Sequence, residues 1–155
     1  MSSGGPQDFD TPELSAERKA RIVVGVDGSA GSKAALAWAA GQARLLGCPL
    51  EAVITWDPVA TPWTPYPLDL VNDMRIEHDK VLNETIDEVL GADRGVDVRA
   101  RVIEGSPGRV LVKVAETASL LVVGRHGRHE WTGRLGSVST YCVHHAACPV
   151  VVVHH

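Results

Sequence analysis

Short apolar runs alternate along the chain with longer stretches in which apolar residues recur at helical spacing. Most of the runs are continuous and rich in β-branched residues, which is typical of strands buried on both faces of a parallel sheet. One run, VDVRARVIE, alternates instead, so we expect it at a sheet edge. The predicted strands are Arg21–Asp27, Leu50–Trp56, Val96–Glu104, Leu120–Gly124 and Pro149–Val153.

Four helices are predicted in the stretches between these runs. Ala, Leu and Lys dominate the first, and Gly47 followed by Pro49 ends it. The third begins at Ser106 and Pro107, which have the order expected of an N-cap and a first helical residue. The predicted helices are Ser32–Leu46, Leu70–Leu90, a third that starts at Pro107 and a fourth from Ser137 to about His145.

This alternation of strands and helices predicts an α/β fold in which parallel strands are joined by right-handed crossover helices. The expected architecture is a three-layer sandwich, one five-stranded doubly wound parallel sheet forming a single domain over residues 21–155. Residues 1–20 are polar and rich in Gly, Pro and Ser, which predicts a flexible tail. Doubly wound sheets bind ligands at the carboxyl ends of strands where the strand order reverses. The search for a site is thereby confined to the loops after the first, second and fourth strands.

Composition narrows the classes of partner. The chain has 155 residues, 45% of them hydrophobic and 22% charged, which is typical of one globular domain. A net charge of −4 gives no general attraction for nucleic acid, and no apolar run approaches the ~20 residues of a membrane span. Three cysteines, an odd number without an export segment, predict reduced thiols and a cytoplasmic location. We expect Cys142 and Cys148 to be small buried hydrophobes.

The segment GRHGRHEWTGRLGSVS, residues 124–139, carries the most distinctive chemistry. Four glycines, three arginines and two histidines follow a buried strand directly and precede a helix. Glycines let backbone N–H groups approach oxygen atoms, and a helix N-terminus adds roughly half a positive charge. This pattern predicts a phosphate-binding cradle. The alternative is that Gly124 and Gly127 only turn the chain and that Ser137 is an ordinary N-cap.

Asp27 and the loop aromatics each allow two interpretations. Asp27 follows the first strand, where a carboxylate can cap the next helix, bind a ribose or help to hold Mg²⁺. Trp56, Trp63 and Tyr66 lie at or after the end of the second strand, where they either stack on a base or anchor packing.

The histidines suggest either a metal site or ordinary surface positions. His126 and His129 are three residues apart, but no cysteine or carboxylate completes a recognisable ligand set. His144 and His145 fall at the end of the fourth helix, where the helix dipole favours a partly cationic imidazole.

Three segments, VVGVDGS, VVGRHGR followed by GSVS, and HHAACPVVVV, resemble the universal stress protein family over nearly the whole chain after the tail. ATP-binding members of that family share G-x-x-G, nine further residues and G-[ST]. Here Gly124 to Gly127 is followed by eight residues before Gly136 and Ser137, so the loop is one residue shorter.

The resemblance implies that ATP, alone or with Mg²⁺, is bound with its triphosphate on this loop and its adenine between the ends of the first two strands. It assigns the phosphates and ribose to the glycine loop, residues 124–136, and to the start of the fourth helix. Asp27 would contact the ribose or a metal ion, and Val26 and Thr55 would contact the base. The expected site residues are Val26, Asp27, Thr55, Gly124, Arg125, His126, Gly127, Gly136, Ser137, Val138 and Ser139.

The implied function is a nucleotide-dependent regulatory or stress-response module. Asp27 and the arginines supply no defined nucleophile or base, so we expect at most slow ATP hydrolysis. The alternative is a nucleotide-free module that acts through protein contacts, which the shortened loop and the bulky Glu130–Trp131 pair favour. The uncharged, β-prone Pro149–Val153 strand and the resemblance together imply a homodimer joined through this strand.

Overall fold

The computed structural model describes residues 20–58, 66–126 and 134–155. Most of the predicted tail, part of the proline-rich loop after the second strand and the middle of the glycine loop therefore lie outside the described residues. The strands are β1 Ile22–Gly25, β2 Leu50–Trp56, β3 Val98–Glu104, β4 Leu120–Gly124 and β5 Val150–Val153. The helices are α1 Ala30–Leu46, α2 Leu68–Leu90, α3 Pro107–Val114 and α4 Ser137–His145, with a 3₁₀ turn at Ala115–Thr117.

All five described strands are parallel and lie in the order β3-β2-β1-β4-β5. Ile22 in β1 is in register with Leu50 in β2 and with Leu120 in β4, so β1 occupies the centre of the sheet. The chain builds outward from β1 to β3 and then crosses to the opposite side for β4 and β5. The reversal of strand order therefore lies between β1 and β4, and β3 occupies an edge as its alternating pattern predicted.

Two hydrophobic cores cover the two faces of the sheet, which confirms the predicted three-layer α/β architecture of a single domain. Successive side chains in a strand point to opposite faces. Ile22 and Val24 accordingly pack with Leu36 of α1 and residues of α2 in one core. Val23 packs with Leu111 of α3 and residues of α4 in the other.

The helix ends follow from capping and backbone geometry. Helix α1 begins two residues before its predicted start because the Ser29 Oγ accepts a hydrogen bond from the Ser32 N–H at 3.2 Å. It ends at Gly47, whose left-handed φ of 63° favours glycine. Ser106 holds the N-cap position of α3 without a side-chain hydrogen bond, and Pro107 is the first helical residue.

The three cysteines are buried and carry free thiols. Burial raises the pKa of the Cys142 thiol to about 11, with a smaller contribution from the nearby Cys148. Within the described parts of the chain, no helix is both long and apolar enough to cross a membrane.

A buried carboxylate joins several elements near the amino ends of the strands. Glu51 of β2 is only 6% exposed. Its two oxygens accept hydrogen bonds from Arg21 Nε, at 2.9 Å, and from Arg101 Nη1 of the edge strand. Arg21 also donates to the Val114 carbonyl at the end of α3, at 2.6 Å. The cluster therefore ties together the chain entering β1, strands β2 and β3, and the end of α3.

The two arginines also decide the ionisation of this carboxyl group. Burial by itself would raise the pKa of Glu51, but the hydrogen bonds and positive charges of Arg101 and Arg21 hold it below its ordinary value. A lowered native pKa means that the ionised form stabilises the fold above the ordinary glutamate pKa. That contribution is lost as the pH falls through the lowered value.

We predict that Glu51→Gln lowers the free energy of unfolding at pH 7 by about 2–3 kcal/mol, because two arginines lose their buried counter-charge. The difference from the parent should shrink as the pH falls below the ordinary glutamate pKa and through the lowered native value, where the parent carboxylate also becomes protonated. Urea unfolding over this pH range measures both effects. Glu84→Gln, at an exposed pair with Lys80 on α2, is the control and should change stability little. A pH-independent difference would contradict the ionic account.

Candidate functional site

A cavity of about 730 Å³ opens at the carboxyl ends of β1, β2 and β4, where the strand order reverses. This is the place that the topology of a doubly wound sheet predicts. Every expected site residue that the structure describes lines it. They are Val26, Asp27, Thr55, Gly124, Arg125, His126, Gly136, Ser137, Val138 and Ser139.

The remaining expected residue, Gly127, lies outside the described residues, as do His129 and the Glu130–Trp131 pair. The structure also adds lining residues that were not among those expected. Pro107 and Leu111 of α3 form apolar wall, and Arg134, Asp57 and His78 bring charged and polar groups.

The N-terminus of α4 forms the electropositive wall of the cavity. Its first helical hydrogen bond runs from the Thr140 N–H to the Gly136 carbonyl at 3.0 Å. The N–H groups of Ser137 and Val138, in the first turn, have no carbonyl of their own helix to donate to. Gly136 at the N-cap has no side chain to cover them. Arg125 and Arg134 also line the cavity, and together with these amides they make this wall suited to an anion.

The main chain of Arg125 holds this wall in place. Its N–H donates to the Val153 carbonyl of β5 at 3.0 Å, and its carbonyl accepts from the Gly136 N–H at 2.8 Å. The Ser139 hydroxyl, on a residue that is 2% exposed, lies within hydrogen-bond distance of two carbonyls, that of Gly136 at 3.0 Å and that of Arg125 at 3.1 Å. Ser139 therefore positions the loop against α4 rather than offering its proton to the cavity.

The first turn of α1 approaches the loop after β4 backbone to backbone. A Cβ on Gly124 would lie 2.7 Å from the Gly31 carbonyl carbon and oxygen, and a Cβ on Gly31 would lie 2.6 Å from the His126 carbonyl oxygen. Real Cβ atoms do not tolerate such distances, so both glycines are required by packing. The glycine at position 124 thus has a structural role that neither interpretation of the sequence supplied.

Asp27 shapes the turn after β1. Its Oδ1 accepts from the Ser29 N–H at 2.9 Å, and its own N–H donates to the Ser32 hydroxyl at 3.2 Å. Ser29, rather than Asp27, caps α1. Asp27 therefore orders the capping turn and lines the cavity at the same time.

The end of β2 forms the opposite wall. Trp56 is 5% exposed, and its ring lies 6.2 Å from the His78 ring, with 34° between their planes. The His78 Nδ1 is 2.7 Å from the Met74 carbonyl, one turn earlier in α2. Met74, His78 and Leu82 are four residues apart and therefore lie on one face of α2. That spacing is the sequence signal that could have predicted His78 on the face of α2 that packs against the sheet. Tyr66 does not line the cavity, and Trp63 lies outside the described residues.

The other histidines singled out in the sequence have different environments. Nδ1 of His126 is buried and has no hydrogen-bond partner within the described residues. His144 and His145 lie in the last turn of α4, where the sequence placed them. Across the part of the chain that the structure describes, no three metal-ligating side chains converge.

We predict that Gly124→Ala lowers the free energy of unfolding by about 1–3 kcal/mol, because the added methyl group forces α1 away from β4. Gly41→Ala is the matched control, since a Cβ there meets nothing within 4 Å. That substitution should stabilise α1 by about 0.5–1 kcal/mol. Chemical unfolding of both variants without ligand measures the two effects. Equal responses would show that the close approach has no energetic importance.

Comparison with known proteins agrees with this architecture. A sequence model described as the universal stress protein family matches residues 20–154. The universal stress protein Rv2005c of Mycobacterium tuberculosis is 34% identical over a 143-residue alignment, with coverage of 86% of this chain and 47% of that protein. The chain thus spans about half the length of the curated relatives it matches.

Solved structures show the same likeness. The universal stress protein UspA from Lactobacillus plantarum superposes with a TM-score of 0.74 at 25% identity, covering 88% of this chain and 98% of that one. A universal stress protein crystallised in complex with cAMP has a TM-score of 0.57 at 28% identity, covering 86% of this chain and 95% of that one. The sequence match over residues 20–154 and the shared five-stranded architecture establish that this chain belongs to the universal stress protein family.

Proposed function

We propose that the cavity binds an adenine nucleotide, specifically ATP with Mg²⁺, and that occupancy regulates the contacts this protein makes with others. The observation that carries the proposal is the polarity of the cavity. The α4 amides, Arg125 and Arg134 form one wall, and apolar and aromatic groups at the end of β2 form the other. A nucleotide has the same division between an anionic end and a planar, largely apolar end.

The donor groups fit such a ligand. The first-turn amides of α4 at Ser137 and Val138 suit phosphate oxygens, and the two arginines add charge-assisted donors. The buried His126 Nδ1, without a partner among the described residues, suits a phosphate or ribose oxygen. An unpaired buried polar atom is costly, so a ligand that satisfies it gains affinity.

The other expected residues have compatible positions. Asp27 lies between the two walls, where its carboxylate suits a ribose hydroxyl or a magnesium ion shared with phosphates. Val26 and Thr55, at the ends of β1 and β2, suit the base. We assign Gly124, Gly127 and Gly136 to the phosphates and ribose, and the Ser139 hydroxyl holds the Arg125 carbonyl beside them. When bound, Mg²⁺ would neutralise part of the phosphate charge.

The family relationship supports an adenine nucleotide in particular. The 28% identical universal stress protein noted above was crystallised with cAMP, which contains adenine, ribose and phosphate. Each of these three parts has a candidate partner in this cavity. The hydrogen bonds of Arg125 support the regulatory role, because a ligand bound beside Arg125 and Gly136 also acts on the end of β5.

We predict that ATP with Mg²⁺ raises the melting temperature progressively with ligand concentration, since only the folded state has the cavity. Arg134→Gln should weaken ATP binding about tenfold by removing a charge-assisted hydrogen bond, and should leave adenosine affinity nearly unchanged. Calorimetric titration measures both.

Arg75→Gln is the control for this experiment. It removes the same charge from an exposed position on α2 that does not line the cavity, so ATP affinity should stay at the parent value. The absence of any thermal shift or heat of binding at millimolar ATP would overturn the proposal and favour the nucleotide-free module.

We propose in addition that two copies associate through β5. This strand lies at the sheet edge and consists of four half-buried valines. Its bonds to β4 include Leu121 N–H to the Pro149 carbonyl and Arg125 N–H to the Val153 carbonyl, each at 3.0 Å. In a parallel ladder the alternate residues, Val150 and Val152, therefore point their backbone groups away from β4. An uncharged edge of this kind is expected to be covered.

We predict that Val152→Pro converts a dimer into a monomer, because proline removes an outward N–H while leaving the bonds to β4 intact. Val152→Thr keeps the N–H and the side-chain shape, so it should remain dimeric. Size-exclusion chromatography with light scattering at micromolar concentration distinguishes the states. A monomeric parent protein under these conditions would refute the β5 interface.

A further inference from the structure

We propose that His78 selects the base of the bound nucleotide by accepting a hydrogen bond at Nε2 from the 6-amino group of adenine. This inference rests on the proposed nucleotide site and assigns it a residue that determines base specificity. His78 is on α2, outside the glycine loop and outside the strand ends to which the resemblance assigned the base.

The first step is which nitrogen of the neutral ring carries the proton. The His78 Nδ1 is 2.7 Å from the Met74 main-chain carbonyl oxygen. A carbonyl oxygen can only accept a hydrogen bond, so Nδ1 carries the proton and donates it. In the neutral ring Nε2 is then an acceptor, and it is the ring nitrogen that remains for a ligand.

The second step is the fixed position of the ring. His78 lines the cavity beside Trp56, whose ring centre is 6.2 Å away. Because Trp56 is almost fully buried, its ring is held in place and limits the movement of the neighbouring imidazole. The Met74 hydrogen bond prevents the ring from turning over. The acceptor is therefore held in one place before any ligand arrives, which lowers the entropic cost of using it.

The third step is the direction in which a nucleotide lies. Strands β2 and β4 flank β1, so their ends are two strand spacings apart, about 10 Å. Arg134 and Arg125 line the cavity at the β4 and α4 side, whereas Asp57 brings a carboxylate to the β2 side. A phosphate is attracted to the first side and repelled by the second. The base consequently extends toward Trp56 and His78.

The fourth step is discrimination between bases. Adenine carries an amino group at position 6, whereas hypoxanthine and guanine carry a carbonyl oxygen there. An amino group satisfies the Nε2 acceptor, but a carbonyl oxygen would set two acceptors against each other and leave both unpaired. Sites built around a hydrogen bond reject analogues that cannot form it far more strongly than apolar sites do. The expected preference for AMP over IMP is about tenfold or more.

The test compares AMP with purine riboside monophosphate, which differs from it only at position 6, and with IMP, which also carries a proton on N1, using calorimetric titration of the full chain. AMP should bind about tenfold more tightly than IMP, and purine riboside monophosphate, which has only hydrogen at this position, should fall between them. This series needs no variant, so it stays informative whatever a substitution does to folding. Equal affinities for AMP and IMP would overturn the role of His78.

Variants locate the preference. His78→Phe keeps an aromatic ring beside Trp56 but removes the acceptor, so AMP affinity should fall about tenfold to that of IMP, which should not weaken. In His78→Gln the amide can present either its oxygen or its nitrogen, so AMP and IMP should bind similarly. His144→Phe makes the same chemical change at an exposed position on α4 and should keep the parent preference.

The outcomes separate this inference from the function on which it rests. If the parent protein binds AMP but His78→Phe retains the full AMP preference, His78 has no part in selection while the nucleotide site stands. If the parent protein binds no adenine nucleotide at all, the proposed function fails and the inference fails with it.

Discussion

The first turn of α1 rests on the end of β4 with no side chain between the two backbones, and the cavity beside them depends on that contact. Gly31 and Gly124 allow it because neither has a Cβ. With α1 in this position, the turn after β1 is brought next to the loop after β4, and the two together enclose the space at the reversal of strand order. The shape of the site is thus set by backbone packing before any ligand-binding side chain is considered.

The two ends of the sheet use polar groups in opposite ways. Near the amino ends, Glu51 and its two arginines satisfy one another, so charge there contributes to holding the layers together. At the carboxyl ends, the N-terminus of α4 lines a cavity, and the buried His126 Nδ1 has no partner within the described residues. The described residues thus place satisfied ions near one end of the sheet and the cavity at the other.

The pattern of apolar residues was sufficient to predict the strands and helices, because burial of a strand on both faces leaves a strong signal in the sequence. Strands β2 and β4 have their predicted bounds, and the edge position of β3 followed from its alternation. Contacts between distant segments were not predictable in the same way. The contact of Gly124 with Gly31 and the inward bond of Ser139 depend on how layers meet, which no local pattern encodes.

The hydrogen bond from the Arg125 amide to the Val153 carbonyl connects the backbone of the outer strand β5 to the start of the glycine loop. Residues coupled through a shared backbone shift do not respond to substitution independently. Changes engineered into the edge strand and changes engineered into the loop should therefore combine non-additively, and a redesign of either segment has to be evaluated together with the other.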